Sequence, residues 1–101
     1  MSELEKTKLV SLLLSEDKEI RILAINYLTS INKGTFTVYC FWDFDKNNSY
    51  KIYSIVSYSN SAFTIYDLLA WISEQPEFFT TQAVLDLINL IIENNEIKNE
   101  D

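Results

Sequence analysis

The segment whose spacing is typical of a metal site is Asp43-x-Asp45-x-Asn47, which places oxygen-bearing side chains at alternate positions. The same alternation opens calcium-binding loops, where carboxylate and amide oxygens coordinate the ion. Such a loop also needs a glycine for its sharp turn and a bidentate glutamate at its end, but Asn48 and Ser54 occupy those positions here. We therefore interpret the segment as the polar tip of a β-hairpin, and we predict no metal site and no cofactor.

The chain offers few groups for nucleophilic or acid–base catalysis. It contains no histidine, which excludes Ser-His and Cys-His pairs, and its one glycine excludes glycine-rich phosphate loops. Cys40 is the single cysteine, and no base or cation stands beside it in the sequence to activate the thiol. We expect a buried, unreactive thiol, no catalytic residue and a protein that is not an enzyme.

Cysteine usage and the first residues bear on the compartment. A single cysteine cannot form an internal disulfide, which fits a reducing environment. Residues 1–5 lack the basic start and apolar core of a secretory signal, and no apolar run is long enough to span a membrane. We expect a cytoplasmic protein.

The net charge of −7 is confined to the second half of the chain. Residues 1–61 carry seven acids and seven bases, whereas residues 62–101 carry eight acids and one base, Lys98. An acidic surface repels phosphate backbones, so we predict no direct binding of nucleic acid. The predicted acidic surface consists of side chains on solvent-facing helices: Asp67, Glu74, Glu77, Asp86 and Glu93.

Length and composition predict one globular domain. The chain has 101 residues, 48% of them hydrophobic, which is enough to bury a core. We assign residues 1–95 to a single α+β domain and residues 96–101 to a polar acidic tail.

Two runs rich in aromatic and β-branched residues, 35–44 and 49–58, predict an antiparallel β-hairpin at the centre of the chain. A three-residue loop at 46–48 sets the register, with Asn48 in the left-handed conformation. One face then pairs Phe44 with Tyr50, Trp42 with Ile52, Val38 with Val56 and Phe36 with Tyr58. The other face pairs Asp43 with Lys51, Phe41 with Tyr53 and Tyr39 with Ile55.

This second face is unusually apolar for the outer side of a hairpin. Its residues Tyr39, Phe41, Tyr53 and Ile55 are candidates for binding a partner. Helices on both sides of the hairpin, or a third strand at 62–66, would cover the face within the chain. A partner protein or a homodimer would cover it from outside, and the sequence leaves these alternatives open.

The N-terminal residues predict a helical hairpin. Ser2 can cap a first helix that runs to about Leu14, and Ser15 can cap a second helix that ends before Gly34. One face of the second helix carries apolar residues at helical spacing: Ile20, Leu23, Ala24, Tyr27, Leu28 and Ile31.

The phrase Asp17-x-x-Ile20-Arg21-x-x-Ala24-x-x-x-Leu28, after a leucine-rich first helix, resembles the second helix of a HEAT-type repeat. The resemblance covers about residues 9–28. In that family, helix pairs stack on their neighbours into a solenoid that usually serves as a scaffold for protein binding. The resemblance therefore implies a protein-binding role.

The C-terminal half predicts two more helices. Thr64 and Asp67 fit a capping box, flanked by the apolar pair Phe63 and Leu68 of a hydrophobic staple, and this helix must end before Pro76. Thr80 can cap a last helix from Thr81 to about Asn94.

These elements predict an α+β fold with two N-terminal helices, a central antiparallel hairpin and two C-terminal helices. The predicted core consists of apolar residues from each element: Ile20, Leu23, Tyr27, Trp42, Val56, Leu69, Ile72 and Ile88. We expect a non-enzymatic, acidic module that binds another protein, with a basic protein among the candidate partners. The alternative is an acidic inhibitor that occupies the nucleic-acid site of an enzyme by mimicking phosphates.

Overall fold

The computed structural model describes the backbone of residues 1–31, 37–44, 50–57 and 63–99, and the side chains of residues 1–31, 38, 51–55 and 63–93. The elements in chain order are α1 (Glu3–Leu13), α2 (Lys18–Ile31), β1 (Thr37–Phe44), β2 (Tyr50–Ser57), β3 (Phe63–Thr64), α3 (Ile65–Glu74), a 3₁₀ turn (Pro76–Phe78) and α4 (Thr81–Asn99). The predicted α+β fold is confirmed: two helices precede an antiparallel hairpin and two helices follow it.

The two N-terminal helices begin with different caps. Ser2 caps α1 as predicted, and Glu5 reaches back to the Ser2 backbone to complete a capping box. The predicted cap at Ser15 is wrong, because α2 begins at Lys18. The Ser15 hydroxyl accepts the Asp17 N–H at 3.1 Å, and the Asp17 carboxylate accepts the Glu19 N–H at 2.9 Å. Asp17 therefore takes the capping role that the sequence assigned to Ser15.

The second helix, α2, turns a different face to the core from the one predicted. Its buried residues are Arg21, Ala24 and Leu28. Leu23 is 68% exposed and Tyr27 47% exposed, so the prediction that they belong to the core is wrong. Arg21 and Leu23 are separated by about 200° on a helix of 3.6 residues per turn, so burying the first exposes the second.

The hairpin follows the predicted register near its turn and departs from it further along. Asp43, Trp42 and Phe44 lie opposite Lys51, Ile52 and Tyr50, as predicted. Beyond them a β-bulge leaves Tyr53 without a partner, and every later pair shifts by one residue.

The shifted pairs are Phe41 with Ser54, Cys40 with Ile55, Tyr39 with Val56 and Val38 with Ser57. The predicted pairs Phe41–Tyr53, Tyr39–Ile55 and Val38–Val56 are therefore wrong. In a regular strand, residues 52 and 55 would face opposite sides of the sheet. The bulge at Tyr53 turns both Ile52 and Ile55 toward the core, where they are fully buried.

The outer edge of β2 is bonded to the start of α4. Thr80 donates both its backbone N–H (3.2 Å) and its hydroxyl (3.1 Å) to the Ile52 carbonyl, and the Thr80 hydroxyl also accepts the Ala83 N–H at 3.1 Å. Thr80 therefore caps α4, as predicted, and holds the bulged strand at the same time. Two residues past the bulge site, the Ile55 N–H donates to the carboxylate of Asp86 at 3.4 Å. An edge strand whose backbone groups are occupied in this way is protected from pairing with other chains.

The other side of β1 carries the short strand β3, which pairs with Thr37 and Val38. The sheet order is β2-β1-β3, so a third strand does form, over two residues of the range 62–66 considered above. The predicted capping box of Thr64 and Asp67 is confirmed at the start of α3, which ends at Glu74, before Pro76.

The last helix closes the core by packing against β2 and α1, while α2 packs against α1 and α3. Leu69, Ile72 and Ile88 are buried as predicted. The predicted end of α4 near Asn94 is wrong, because the helix continues to Asn99. The hairpin loop at 46–48, the Gly34 helix stop, the Phe36–Tyr58 pair and the side chains of Trp42 and Val56 lie outside the described residues.

The rotation of α2 gives a first testable prediction. Leu28→Ala should lower the free energy of unfolding by about 2–5 kcal/mol, because it leaves a cavity at a fully buried position. Leu23→Ala on the exposed side should change it by no more than about 0.5 kcal/mol. Urea denaturation of both variants measures the two values, and a Leu23→Ala loss as large as that of Leu28→Ala would contradict the observed rotation.

Candidate functional site

The outer side of the α1–α2 pair carries a groove of about 400 Å³ lined by apolar side chains. We call this surface the apolar groove, and its residues are Leu9 and Leu12 from α1 and Ile20, Leu23, Ala24 and Tyr27 from α2. The residues share this side because they recur at the three- and four-residue spacing of one helical face. The pair therefore has two apolar sides, one in the core and one facing outward.

Exposure distinguishes the apolar groove from scattered surface leucines. Leu23 is 68% exposed, Tyr27 47% and Leu12 44%, whereas Leu9 and Ala24 form the buried floor. Single exposed apolar residues are normal on a protein surface, but monomeric proteins rarely expose a contiguous apolar set on two adjacent helices. The groove can contribute apolar contact area and, at Tyr27, a hydroxyl at the rim.

The groove faces outward because Arg21 is held in the interior. The Arg21 Nη1 donates to the Ser15 carbonyl at 2.6 Å, while Nε and Nη2 donate to the Ser73 carbonyl at 3.1 and 2.9 Å. Ser15 follows the end of α1 and Ser73 lies in the last turn of α3, where carbonyls have no partner within their own helix. A cation at these two negative dipole ends is also electrostatically favourable.

A cavity of about 490 Å³ lies beside Arg21, between the turn that joins α1 to α2 and the end of α3. Glu16, Glu74 and Glu77 line it together with the largely buried guanidinium. Lys18 donates to the Glu74 carboxylate at 2.8 Å, so one of the acids is paired. The cavity consequently adds negative charge at the turn end of the α1–α2 pair.

The hairpin residues predicted to bind a partner do not form one exposed face. Tyr53, at the bulge, is 44% exposed, while Ile55 is 3% exposed and belongs to the core. Ile55 is therefore not available to a partner, because the bulge turned it inward. The side chains of Tyr39 and Phe41 lie outside the described residues, and the hairpin homodimer stays a prediction.

Several acids of the predicted acidic surface are engaged within the chain. Asp86 is half-buried and accepts from the Ser54 hydroxyl at 2.9 Å and the Gln82 amide at 2.8 Å. Asp67 completes the α3 capping box, and Glu74 pairs with Lys18. Glu77 and Glu93 are exposed. These acids thus act partly as structural anchors.

Two further findings concern the residues that the structure describes. Among them, no three cysteine, aspartate or glutamate side chains lie close enough together to hold a metal ion. Within the same residues, no helix has both the length and the apolar character needed to cross a membrane.

Comparisons of the chain with models of known protein families, with curated protein sequences and with solved structures find no match. The likeness of residues 9–28 to a HEAT-type repeat therefore remains a resemblance of one helix pair.

Sequence reasoning missed the apolar groove because it placed the outward face of α2 in the core. One signal was present: α2 has apolar residues on both sides of Arg21, including Ile25, which packs on the core, and Leu23, which does not. The first helix is likewise apolar around much of its circumference, from Leu9 to Leu14. An apolar arc wider than one contact surface indicates a second contact surface.

Replacing Arg21 tests its part in placing the groove. Arg21→Met keeps the apolar stem but leaves the Ser15 and Ser73 carbonyls without a donor, so the free energy of unfolding should fall by about 1–3 kcal/mol. Ile22→Met, on the exposed side of the same helix, is the control and should have little effect. Urea denaturation provides the measurement, and an unchanged value for Arg21→Met would show that these hydrogen bonds do not hold α2 in place.

The Lys18–Glu74 pair gives a prediction about ionisation. A hydrogen bond from Lys18, the charge of Lys18 and, more weakly, the charge of Arg21 lower the pKa of the exposed Glu74 carboxyl. Stabilisation from the pair is therefore present above the unfolded-state pKa and is lost as the pH falls through the folded-state value. Lys18→Met should raise the pKa of Glu74 toward its ordinary value in an NMR titration. Lys6→Met, at the far end of α1, should leave it unchanged, and an identical pKa in all three proteins would refute the pair.

Proposed function

We propose that this chain is a small, acidic, non-enzymatic protein–protein interaction module that binds another protein through the apolar groove. The observation that carries the proposal is the exposure of Leu12, Leu23 and Tyr27 along one continuous groove on two packed helices. Burying such side chains against a partner removes apolar surface from water, at about 25 cal/mol per Å². The single cysteine supports a reducing compartment, and we place the function in the cytoplasm.

A rigid support strengthens the proposal. The floor of the groove, Leu9 and Ala24, belongs to the buried core, and Arg21 fixes the rotation of α2 from the opposite side. A preformed surface loses little conformational entropy on binding, so more of the apolar contact energy appears as affinity.

The test compares two glutamate substitutions on the same helix. Leu23→Glu places a carboxylate in the middle of the groove, and Ile22→Glu places one on another exposed side of α2. The tagged chain and both variants capture proteins from a lysate of the native cell, and the partner is then purified. Leu23→Glu should weaken the measured binding at least about tenfold. Ile22→Glu should leave binding within about twofold of the original.

Salt dependence separates this function from phosphate mimicry. Binding through an apolar groove should persist as the ionic strength rises, whereas mimicry of a nucleic acid should weaken steeply. Glu93→Gln is the matching variant, because Glu93 is exposed while Asp86 also anchors β2. A partner lost with Glu93→Gln and at high salt, but retained by Leu23→Glu, would replace the present proposal with the acidic-inhibitor hypothesis.

A further inference from the structure

The dimensions of the apolar groove suit a helix. At 1.5 Å per residue, α1 and α2 are about 16 and 21 Å long, and they lie side by side. Helices pack with their axes about 8–10 Å apart, with ridges of side chains in the grooves of their neighbours. A third helix lying between α1 and α2 would place side chains at i, i+3, i+4 and i+7 against Leu12, Leu23 and Tyr27.

One end of the groove is acidic. At the turn between the helices, Glu16, Asp17 and Glu19 are all exposed. Glu19 lies one helical turn before Leu23, on the same side of α2. The nearby bases are engaged elsewhere: Lys18 pairs with Glu74, and Arg21 is buried against two carbonyls. We call Glu16, Asp17 and Glu19, which lie at the turn end of the helix pair, the acidic end of the groove; none of the three lines the groove itself, and Glu16 also lines the cavity beside Arg21.

The opposite end has a different charge balance. On α1, Lys6 pairs with Glu3 at 3.2 Å, and Lys8 stands one helical turn from Glu5. Beyond Leu23, α2 carries the neutral residues Asn26, Thr29 and Ser30 on its exposed side. The groove is therefore apolar along its length, acidic at one end and close to neutral at the other.

We infer that the occupant of the apolar groove is an amphipathic helix of a partner protein, with lysine or arginine residues at the end that meets the acidic end. Apolar contacts supply most of the affinity, and the charges set the direction in which the helix lies. This inference rests on the proposed function and specifies the chemistry of the partner.

A second copy of this chain fits the groove less well. Its α1 and α2 would offer Lys6, Lys8, Lys18 and Arg21, each of which already stands beside an acid or is buried. Two copies also bring together two chains of net charge −7. Like charges oppose that association, whereas a basic-ended helix is attracted.

The test uses a displayed library of helices as long as α2, with a fixed apolar stripe and randomised residues elsewhere, sorted against the full chain. Selected helices should concentrate lysine and arginine at one end. Their binding should fall at least about tenfold with Leu23→Glu and stay within about twofold with Ile22→Glu.

Charge reversal at the acidic end then tests direction and complementarity. A protein with Glu16→Lys and Glu19→Lys should bind the basic-ended helices about tenfold more weakly, and the difference should shrink as salt is raised. Sorting the library against this variant should enrich helices with aspartate or glutamate at the same end. Both substituted residues are exposed, so circular dichroism should show an unchanged fold.

The outcomes separate this inference from the proposed function. Selected helices that depend on Leu23 but have no basic end would overturn the inference and leave the interaction surface in place. Concentration-dependent dimerisation by light scattering, abolished by Leu23→Glu, would make a second copy the occupant and also overturn it. A library that yields no Leu23-dependent binder, with a native partner unaffected by Leu23→Glu, would overturn both.

Discussion

Arg21 is the residue on which the arrangement of the N-terminal half depends. Arg21 is 7% exposed, and its guanidinium donates hydrogen bonds to carbonyls from the ends of two other helices. A buried cation of this kind is tolerated because each helix end presents acceptors that lack a partner and a partial negative charge. By joining α2 to the ends of α1 and α3, Arg21 determines which side of α2 faces inward.

The outward apolar groove is the geometric consequence of that choice. Leu23 lies nearly opposite Arg21 on the helix, so no single rotation of α2 can bury both side chains in the core. In the structure, Arg21 is buried and the side chains of Leu23 and Tyr27 are exposed. Such an arrangement gives up some core burial, and a partner helix that covers the groove would recover it.

The sequence predicts an interaction surface on the hairpin, because both of its faces are apolar. In the structure, the bulge at Tyr53 turns Ile55 into the core. Thr80 and Asp86 bond to the outer edge of β2. Part of the apolar excess is thus covered by α4, within the chain. Asp86 belongs to the acidic half of the chain, but its carboxylate stabilises the fold by accepting hydrogen bonds from β2.

The sequence by itself predicted features that depend on interactions between residues close together in the chain. They are the capping residues Ser2 and Thr64, the end of α3 before Pro76 and the three residue pairs nearest the hairpin turn. The charge distribution was also readable from the sequence. Tertiary structure alone decided the rotation of α2 and the bulge at Tyr53, because both depend on partners about 30–50 residues away: the Ser73 carbonyl for Arg21, and Thr80 and Asp86 for β2. The candidate site followed from that rotation, since an arc of apolar residues shows that a helix has something to bury but not which side meets the core.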